Sequence, residues 1–339
     1  MPTHNLTMNT QPWLDEAYQI ITKPLIQNRA HHALIIKYIT GSGENSLINR
    51  LAMRLLCLHP LDNQPCGHCH SCQIFLAENH PDFYIIDLEK GKSAISVNQI
   101  RPIIAKIYER SQQGGRKVIW IKTASLMTEA AANALLKTLE EPPLESYFIL
   151  SDQQNGQLLP TIRSRCQYYF LKVPELDNSV IWLKQQLKSN TYNDNELASA
   201  ILLNENAPLA ALALLNPEQW SVRQQFYTHL YSHLMDNDLW QLRDNLINQD
   251  NLFSLLHWVK TLFADALKAR LKSGRFIINR DQVPLVRLIA SFGNDRIMQL
   301  YRLWDNTYQQ LVTMSGLNQE LIISNLLAQS EIILNQQAF

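Results

Sequence analysis

The sequence predicts an α/β domain, a parallel sheet with flanking helices, followed by a region that is helical throughout. Three observations carry this. Short apolar runs at 33–39, 118–121 and 147–150 have the length and composition of strands buried on both faces. Helical segments stand between them, and a strand–helix–strand alternation of this length implies parallel pairing with a crossover helix. From Asn216 onward the pattern is helix after helix.

The chain has 339 residues, enough for two or three domains and a sizeable core. Lys plus Arg and Asp plus Glu balance at 30 each, so the whole chain makes no strong electrostatic claim on nucleic acid and leaves only local patches. No apolar run approaches a membrane span, and the opening MPTHNLTMNTQ lacks the basic region and apolar core of a signal peptide. Four of the five cysteines fall within sixteen residues, unlike a secreted disulfide framework. The expectation is a cytoplasmic protein in a reducing compartment, with the cluster holding metal.

In chain order, residues 1–11 read as a polar tail. Pro12-Trp13 opens an amphipathic helix with Trp13, Leu14, Ala17, Tyr18 and Ile21 on one side. Residues 33–39 form the first strand and 46–57 the helix after it. Ser96 and Gln99 fit a capping box for a helix over 96–111, whose buried face is Val97, Ile100, Ile103, Ile104 and Ile107. A polar Gly-Gly turn over 112–116 leads into the strand 118–121. The helix 129–141 carries Leu135, Leu136 and Leu139 at helical spacing and acids in its last turn. Pro142-Pro143 stops it, because proline lacks an N–H and pushes the preceding residue out of the helical region. Strands 147–150 and 168–171 follow, and Pro174 marks a boundary before the helical stretch 177–215. Asn216-Pro217 is a cap with proline at the first helical position. Beyond it Val222, Phe226, Leu230 and Leu234 recur every four residues. Leu252, Leu255, Leu256, Val259, Leu262, Phe263 and Leu267 form a broad stripe, and Ile322, Ile323, Leu326, Leu327, Ile333 and Leu334 line a last helix. Trp220, Trp240, Trp258 and Trp304 read for the most part as core residues.

Thr40-Gly41-Ser42-Gly43-Glu44-Asn45-Ser46 joins the first strand to its helix, where a phosphate-binding loop belongs. A working loop reads G-x-x-x-x-G-K-S/T: glycine amides cradle phosphates, the lysine reaches the outer ones, and the hydroxyl holds magnesium. With Gly43 as the last glycine, Tyr38 falls at the first glycine, Glu44 at the lysine and Asn45 at the hydroxyl. A carboxylate there repels a triphosphate. The segment reads as a degenerate loop or as glycines that only form a tight turn, and ATP is not expected as a cofactor. Cys57-x8-Cys66-x2-Cys69-x2-Cys72 follows the helix. Such spacings let four thiolates converge tetrahedrally on a structural Zn2+, which would stabilise an excursion too small for its own core. His59, His68, His70 and His80 lie nearby, and one can replace a cysteine; a set of free thiols is the other reading.

AANALLKTLEEPP at 131–143 and TIRSRC at 161–166 resemble the AAA+ subunits of the bacterial replicative clamp loader. PWLDEAYQII at 12–21 and HHALII at 31–36 resemble the delta-prime type of those subunits. The resemblance covers essentially the whole chain and is sharpest over 31–72 and 117–171. It implies an AAA+ core domain over 1–172 with the zinc module at 57–72, a small helical lid over 173–214, and an all-α collar over 215–339 that holds subunits in a ring. Lys122 and Thr123 stand where active members carry the Asp-Glu that holds magnesium and positions water. Ser151-Asp152 stands where they usually offer a neutral polar residue, and Asn206-Ala207-Pro208 where they often place a second sensor arginine. In the family the SRC motif supplies an arginine finger to a neighbour's ATP site, which implies that role for Arg165, with Ser164 and Cys166 in support. Without the motif, Arg163 and Arg165 would read as ordinary surface ion pairs. The implied function is a non-hydrolysing subunit without activity of its own, inside a holoenzyme that is a DNA-directed DNA polymerase, a nucleotidyltransferase. Its implied partners are the gamma/tau ATPase subunits and the delta subunit, with the sliding clamp and primed DNA reached through the complex and no membrane. The alternatives are an active gamma/tau-like ATPase with an atypical pocket and a zinc-stabilised adaptor outside replication.

Overall fold

Alternate residues of each central strand serve two helical layers, and the sheet is built accordingly. The computed structural model describes residues 11–27, 29–187, 191–236, 238–247, 251–314 and 316–335, so the tail expected over 1–11 lies outside the described residues except for Gln11. The chain divides into two compact units, Met1–Pro174 and Glu175–Phe339.

In the first unit β1 (Ala33–Tyr38), β2 (Phe83–Ile86), β3 (Lys117–Ile121), β4 (Ser146–Gln153) and β5 (Gln167–Phe170) form one parallel sheet in the order β2-β3-β4-β1-β5. Around it lie α1 (Pro12–Ile26), α2 (Glu44–Leu56), α3 (His70–Leu76), α4 (Val97–Tyr108), α5 (Glu129–Glu140) and the single turn α6 (Pro160–Arg163). Leu34 and Ile36 of β1 share a core with Leu14, Tyr18, Leu51 and Phe75, whereas Ala33 and Ile35 share the other with Ile100, Ile107, Leu135 and Leu139. Burial on both faces is why β1 reads as an unbroken apolar run.

Several boundaries differ from expectation, each for a local reason. α2 begins at Glu44, before the expected 46, because Gly43 turns the chain with φ 98°. α4 has its capping box at Ser96 and Gln99 but ends at Tyr108. There the Lys117 ammonium donates to the carbonyls of Ile107 and Glu109, taking up groups that a longer helix would use. β4 runs on through Ser151, Asp152 and Gln153, since β1 continues beside it, with Lys37 opposite Asp152. β2 and α3 were not expected.

The second unit contains α7 (Leu176–Leu187), α8 (Asp194–Leu203), α9 (Pro208–Leu214), α10 (Pro217–Asp236), α11 (Arg243–Ile247), α12 (Leu252–Arg270), α13 (Val283–Ala290), α14 (Asn294–Thr313) and α15 (Gln319–Asn335). Leu203 of α8 belongs to the same core as Phe226, Leu255, Trp258, Trp304 and Leu326. Trp220, Trp258 and Trp304 are buried as expected, while Trp240 is exposed. On α10 the expected stripe holds at Phe226, Leu230 and Leu234, but Val222 is half-buried and Arg223 fully buried in its stead. Arg223 forks onto Asp281 and reaches Asn279 Oδ1 at 3.1 Å, and Asn279 Nδ2 donates to Asp265 at 2.9 Å. This polar hub ties α10 and α12 to the loop before α13. Among the described residues no single helix is long and apolar enough to cross a membrane.

Candidate functional site

The ends of β1, β3 and β4 place three loops at one end of the sheet, the position at which parallel α/β folds hold ligands. The first is the glycine loop. Gly41 and Gly43 have φ of 81° and 98°, open only to residues without a Cβ. At Gly43 space forbids one as well, since an added Cβ would lie 2.4 Å from Gln11 Oε1 and 3.1 Å from Leu14. Trp13 Nε1 donates to Ser42 O at 2.7 Å, so the start of α1 is seated on the loop. Glu44 turns back rather than outward: the Gly43 amide donates to Glu44 Oε2 at 3.2 Å. Burial raises its carboxyl pKa, and hydrogen bonds from the loop amides oppose that rise. Asn45 is exposed.

The second loop follows β3. Lys122 pairs with Asp87 at 3.3 Å and lies over the Trp120 ring at 4.7 Å, and Thr123 has φ 46°. The third follows β4 and holds what the sequence did not suggest. Lys37 and Asp152, both almost without solvent exposure, pair at 2.5 Å, and Lys37 Nζ also donates to Gln153 O at 2.9 Å and Gly156 O at 2.6 Å. Asp152 Oδ1 accepts from Ser125 Oγ at 2.5 Å and from Ser125 N at 3.1 Å. One buried ion pair thereby fixes the second loop against the third. The signal in the sequence is a lysine inside an apolar strand, which must find a partner. Ser125→Ala removes one bond to a buried carboxylate and is expected to cost about 1–3 kcal/mol in urea unfolding. A cost indistinguishable from zero would mean that Lys37 and the residue 125 amide satisfy Asp152 without the hydroxyl.

The basic hook lies at the opposite end of the sheet, before β5. Arg165 Nε and Nη2 donate to Glu140 Oε1, and Nη1 donates to Thr161 O at 2.8 Å and to Ser164 Oγ at 3.2 Å. Its side chain keeps 31% of its exposure, so the guanidinium is fixed by its neighbours yet reachable. Ser164 Oγ also donates to Thr161 O at 3.1 Å. Cys166 packs behind the hook, and burial pushes its thiol up to about 12, which leaves it inert as a nucleophile. Arg163 is exposed. Glu140, which sequence reasoning did not single out, is one of the acids ending α5.

The four clustered cysteines converge. Their sulfurs all lie within 4.8 Å of one another, with Cys57–Cys66 at 3.5 Å and Cys57–Cys69 and Cys66–Cys72 at 4.0 Å. A tetrahedron with Zn–S bonds of about 2.3 Å has edges of ~3.8 Å, so the group can hold one such ion. The amides of Cys66, Cys69 and Cys72 donate to Cys57, Cys66 and Cys69 sulfurs at 3.3, 3.3 and 3.4 Å, as suits thiolates. None of the nearby histidines belongs to this group of ligand atoms. His80 is instead structural. Its Nδ1 accepts from the Asp82 amide at 3.1 Å, so Nε2 carries the proton and donates to Ser71 Oγ at 2.8 Å, while Ser71 donates to Leu56 O. The Asp82 carboxylate accepts from the amides of Gln112 and Gln113. Ser71, His80 and Asp82 therefore contain no free base. They brace the cysteine module against the end of α2.

Comparison with known proteins agrees with this architecture. The family described as "DNA polymerase III, delta subunit" matches residues 13–175, and "DNA polymerase III, delta subunit, C terminal" matches 217–331. The DNA polymerase III subunit delta' of Yersinia pestis is 40% identical over 331 residues, 97% of either chain. Its counterpart from Escherichia coli K12 is 36% identical over 325 residues, 96% of either chain. A solved gamma subunit-related protein of Thermotoga maritima, 16% identical, has the same fold with a TM-score of 0.50, covering 95% of this chain and 100% of that one. With a parallel α/β unit, a helical C-terminal region and relatives of this kind over nearly its whole length, the chain belongs to the delta' subunit family of DNA polymerase III.

Proposed function

We propose that this chain is the non-hydrolysing AAA+ member of a bacterial clamp loader and that it lends Arg165 to the ATP site of an adjacent subunit. The observation that carries the reading is the fixed, reachable guanidinium of Arg165, anchored through Glu140, Thr161 and Ser164. With Nη1 held by Thr161 O and Ser164 Oγ, Nε and Nη2 can pass together from Glu140 to a transferring phosphoryl group without the side chain first being ordered. Ser164 acts as its positioning residue and Cys166 as packing behind it. The surface ion pair with Glu140 is compatible with this role, because an exposed pair is worth little and yields to a phosphate.

The chain's own nucleotide end lacks the means of hydrolysis: Glu44 replaces the lysine, and Lys122 and Thr123 replace the acids. In this reading 1–172 is the AAA+ core, 173–214 the lid and 215–339 the collar. The partners are gamma/tau-type ATPase subunits and a delta subunit, and the complex as a whole acts on the sliding clamp at primed DNA in the cytoplasm. Cys57, Cys66, Cys69 and Cys72 would hold a structural zinc, whose chemistry is to fix the knuckle.

The test is ATP turnover by a clamp loader reconstituted with Arg165→Ala. Turnover is expected to fall by at least the share of the one site that Arg165 serves, while assembly, followed by size-exclusion chromatography, is unchanged. Full turnover in the variant complex would remove the finger assignment.

A further inference from the structure

The glycine loop already holds a carboxyl group of its own. Gly41 and Gly43 keep the left-handed conformation that turns successive amides toward one point, and α2 begins directly behind them with its first N–H groups unclaimed by the helix. The Glu44 carboxylate folds back into that point. The Gly43 amide donates to Oε2 at 3.2 Å, and the loop amides act on the carboxyl against the rise in pKa that its burial causes. The Ser42 hydroxyl, fully buried and without a partner of good geometry, lies beside it. Backbone amides and a hydroxyl at a helix N-terminus are the donors that a phosphate oxyanion requires. Gln11 and Leu14 lie against Gly43.

We propose that Glu44 is a tethered anion that occupies the glycine loop in place of a phosphate group, holding the loop in its ligand-bound shape, and that removing its carboxylate uncovers a site for an inorganic phosphate oxyanion. This deepens the reading that the chain does not use ATP and rests on it. The carboxylate does more than repel a phosphate. In the structure it is also a competitor, and a tethered competitor acts at an effective concentration that a free ligand in solution does not match. The loop therefore needs no nucleotide to stay formed.

The experiment titrates pyrophosphate, and separately magnesium-ATP, into the full chain and into Glu44→Ala and Glu44→Gln, read by amide chemical shifts at Gly41 and Gly43. The unaltered chain is expected to show no saturation up to about 10 mM pyrophosphate, and Glu44→Ala to bind it at least ~tenfold more tightly. Glu44→Gln keeps the side-chain shape and carries the same comparison should the alanine variant fail to fold. Pyrophosphate binding by neither variant, with none by the unaltered chain, overturns this inference and leaves the proposed function standing. Saturable binding of magnesium-ATP by the unaltered chain overturns the reading on which it rests.

Discussion

Replacing Asp281 with Ala is expected to destabilise the helical unit by about 3–5 kcal/mol. Arg223 is without solvent exposure and meets Asp281 through two parallel bonds, Nη1–Oδ2 at 2.6 Å and Nη2–Oδ1 at 3.0 Å. Its guanidinium packs against the rings of Trp220 and Tyr227, at 4.6 and 4.5 Å from their centres, and no water reaches it. Arginine cannot give up its proton, so removing the carboxylate leaves a buried charge with no neutral form to adopt. Arg223→Met combined with Asp281→Leu removes the charge instead, and is expected to recover most of the loss, because a buried pair contributes little net stability relative to apolar packing. Urea unfolding of the single and double variants measures both. A loss under ~1 kcal/mol for Asp281→Ala would mean that water reaches the site. Acid should act in the same direction. Burial raises the Asp281 carboxyl, but Arg223, Ser199 and Gln282 outweigh it and hold the folded pKa below the ordinary value. Its contribution is therefore complete above the unfolded value of about 3.9 and is lost as pH falls through the lower folded value.

This hub also marks where residue patterns stop carrying information. Val222, Phe226, Leu230 and Leu234 repeat every four residues, and the period gives the helix correctly. It does not reveal that Arg223 turns inward, because that depends on Asn279 and Asp281, which are 56 and 58 residues away. Lys37 and Asp152 are 115 residues apart, and only the rule that a charge in a buried strand needs a partner hints at them. β1, β3 and β4 are legible because burial on both faces leaves an apolar run. β2 is not, since Phe83, Tyr84 and Ile85 of this edge strand keep some exposure and four residues show no period. The cysteine group is legible because its spacing is local. The position of Arg165 could be read from its motif, whereas its anchor Glu140 could not, because that contact requires the turn before β5 to lie against the end of α5.

Removing metal from the cysteine group is expected to have the largest effect, confined to one part of the first unit. In small zinc domains the ion supplies an apparent ~10–16 kcal/mol at neutral pH, and without it they unfold. Here Cys57, Cys69 and Cys72 belong to the same core as Leu55, Phe75 and Trp120, so the sheet retains much of its packing when the ion leaves. The segment 57–76 has less: apart from the cysteines it offers that core Phe75, and its loop is held by Tyr18 on Asn63 O and Arg54 on Asp62 O. Its contents are two short turns of loop, the seven residues of α3 and the four thiols. After metal loss α3 is still held by Ser71 on Leu56 O and His80 and by Phe75 against Phe83, whereas the loop before it loses its main tie. Deprived of the ion, deprotonated thiols 3.5–4.0 Å apart repel one another, so the module must either take up protons or open. Chelation, or Cys72→Ser, is therefore expected to make this segment the first site of limited proteolysis and to lower the melting temperature, while most of the far-UV helix signal remains. The chain as isolated is expected to contain one equivalent of zinc. Protein free of metal as isolated, with melting and proteolysis unmoved by a chelator, would identify the four as free thiols that the core alone brings together.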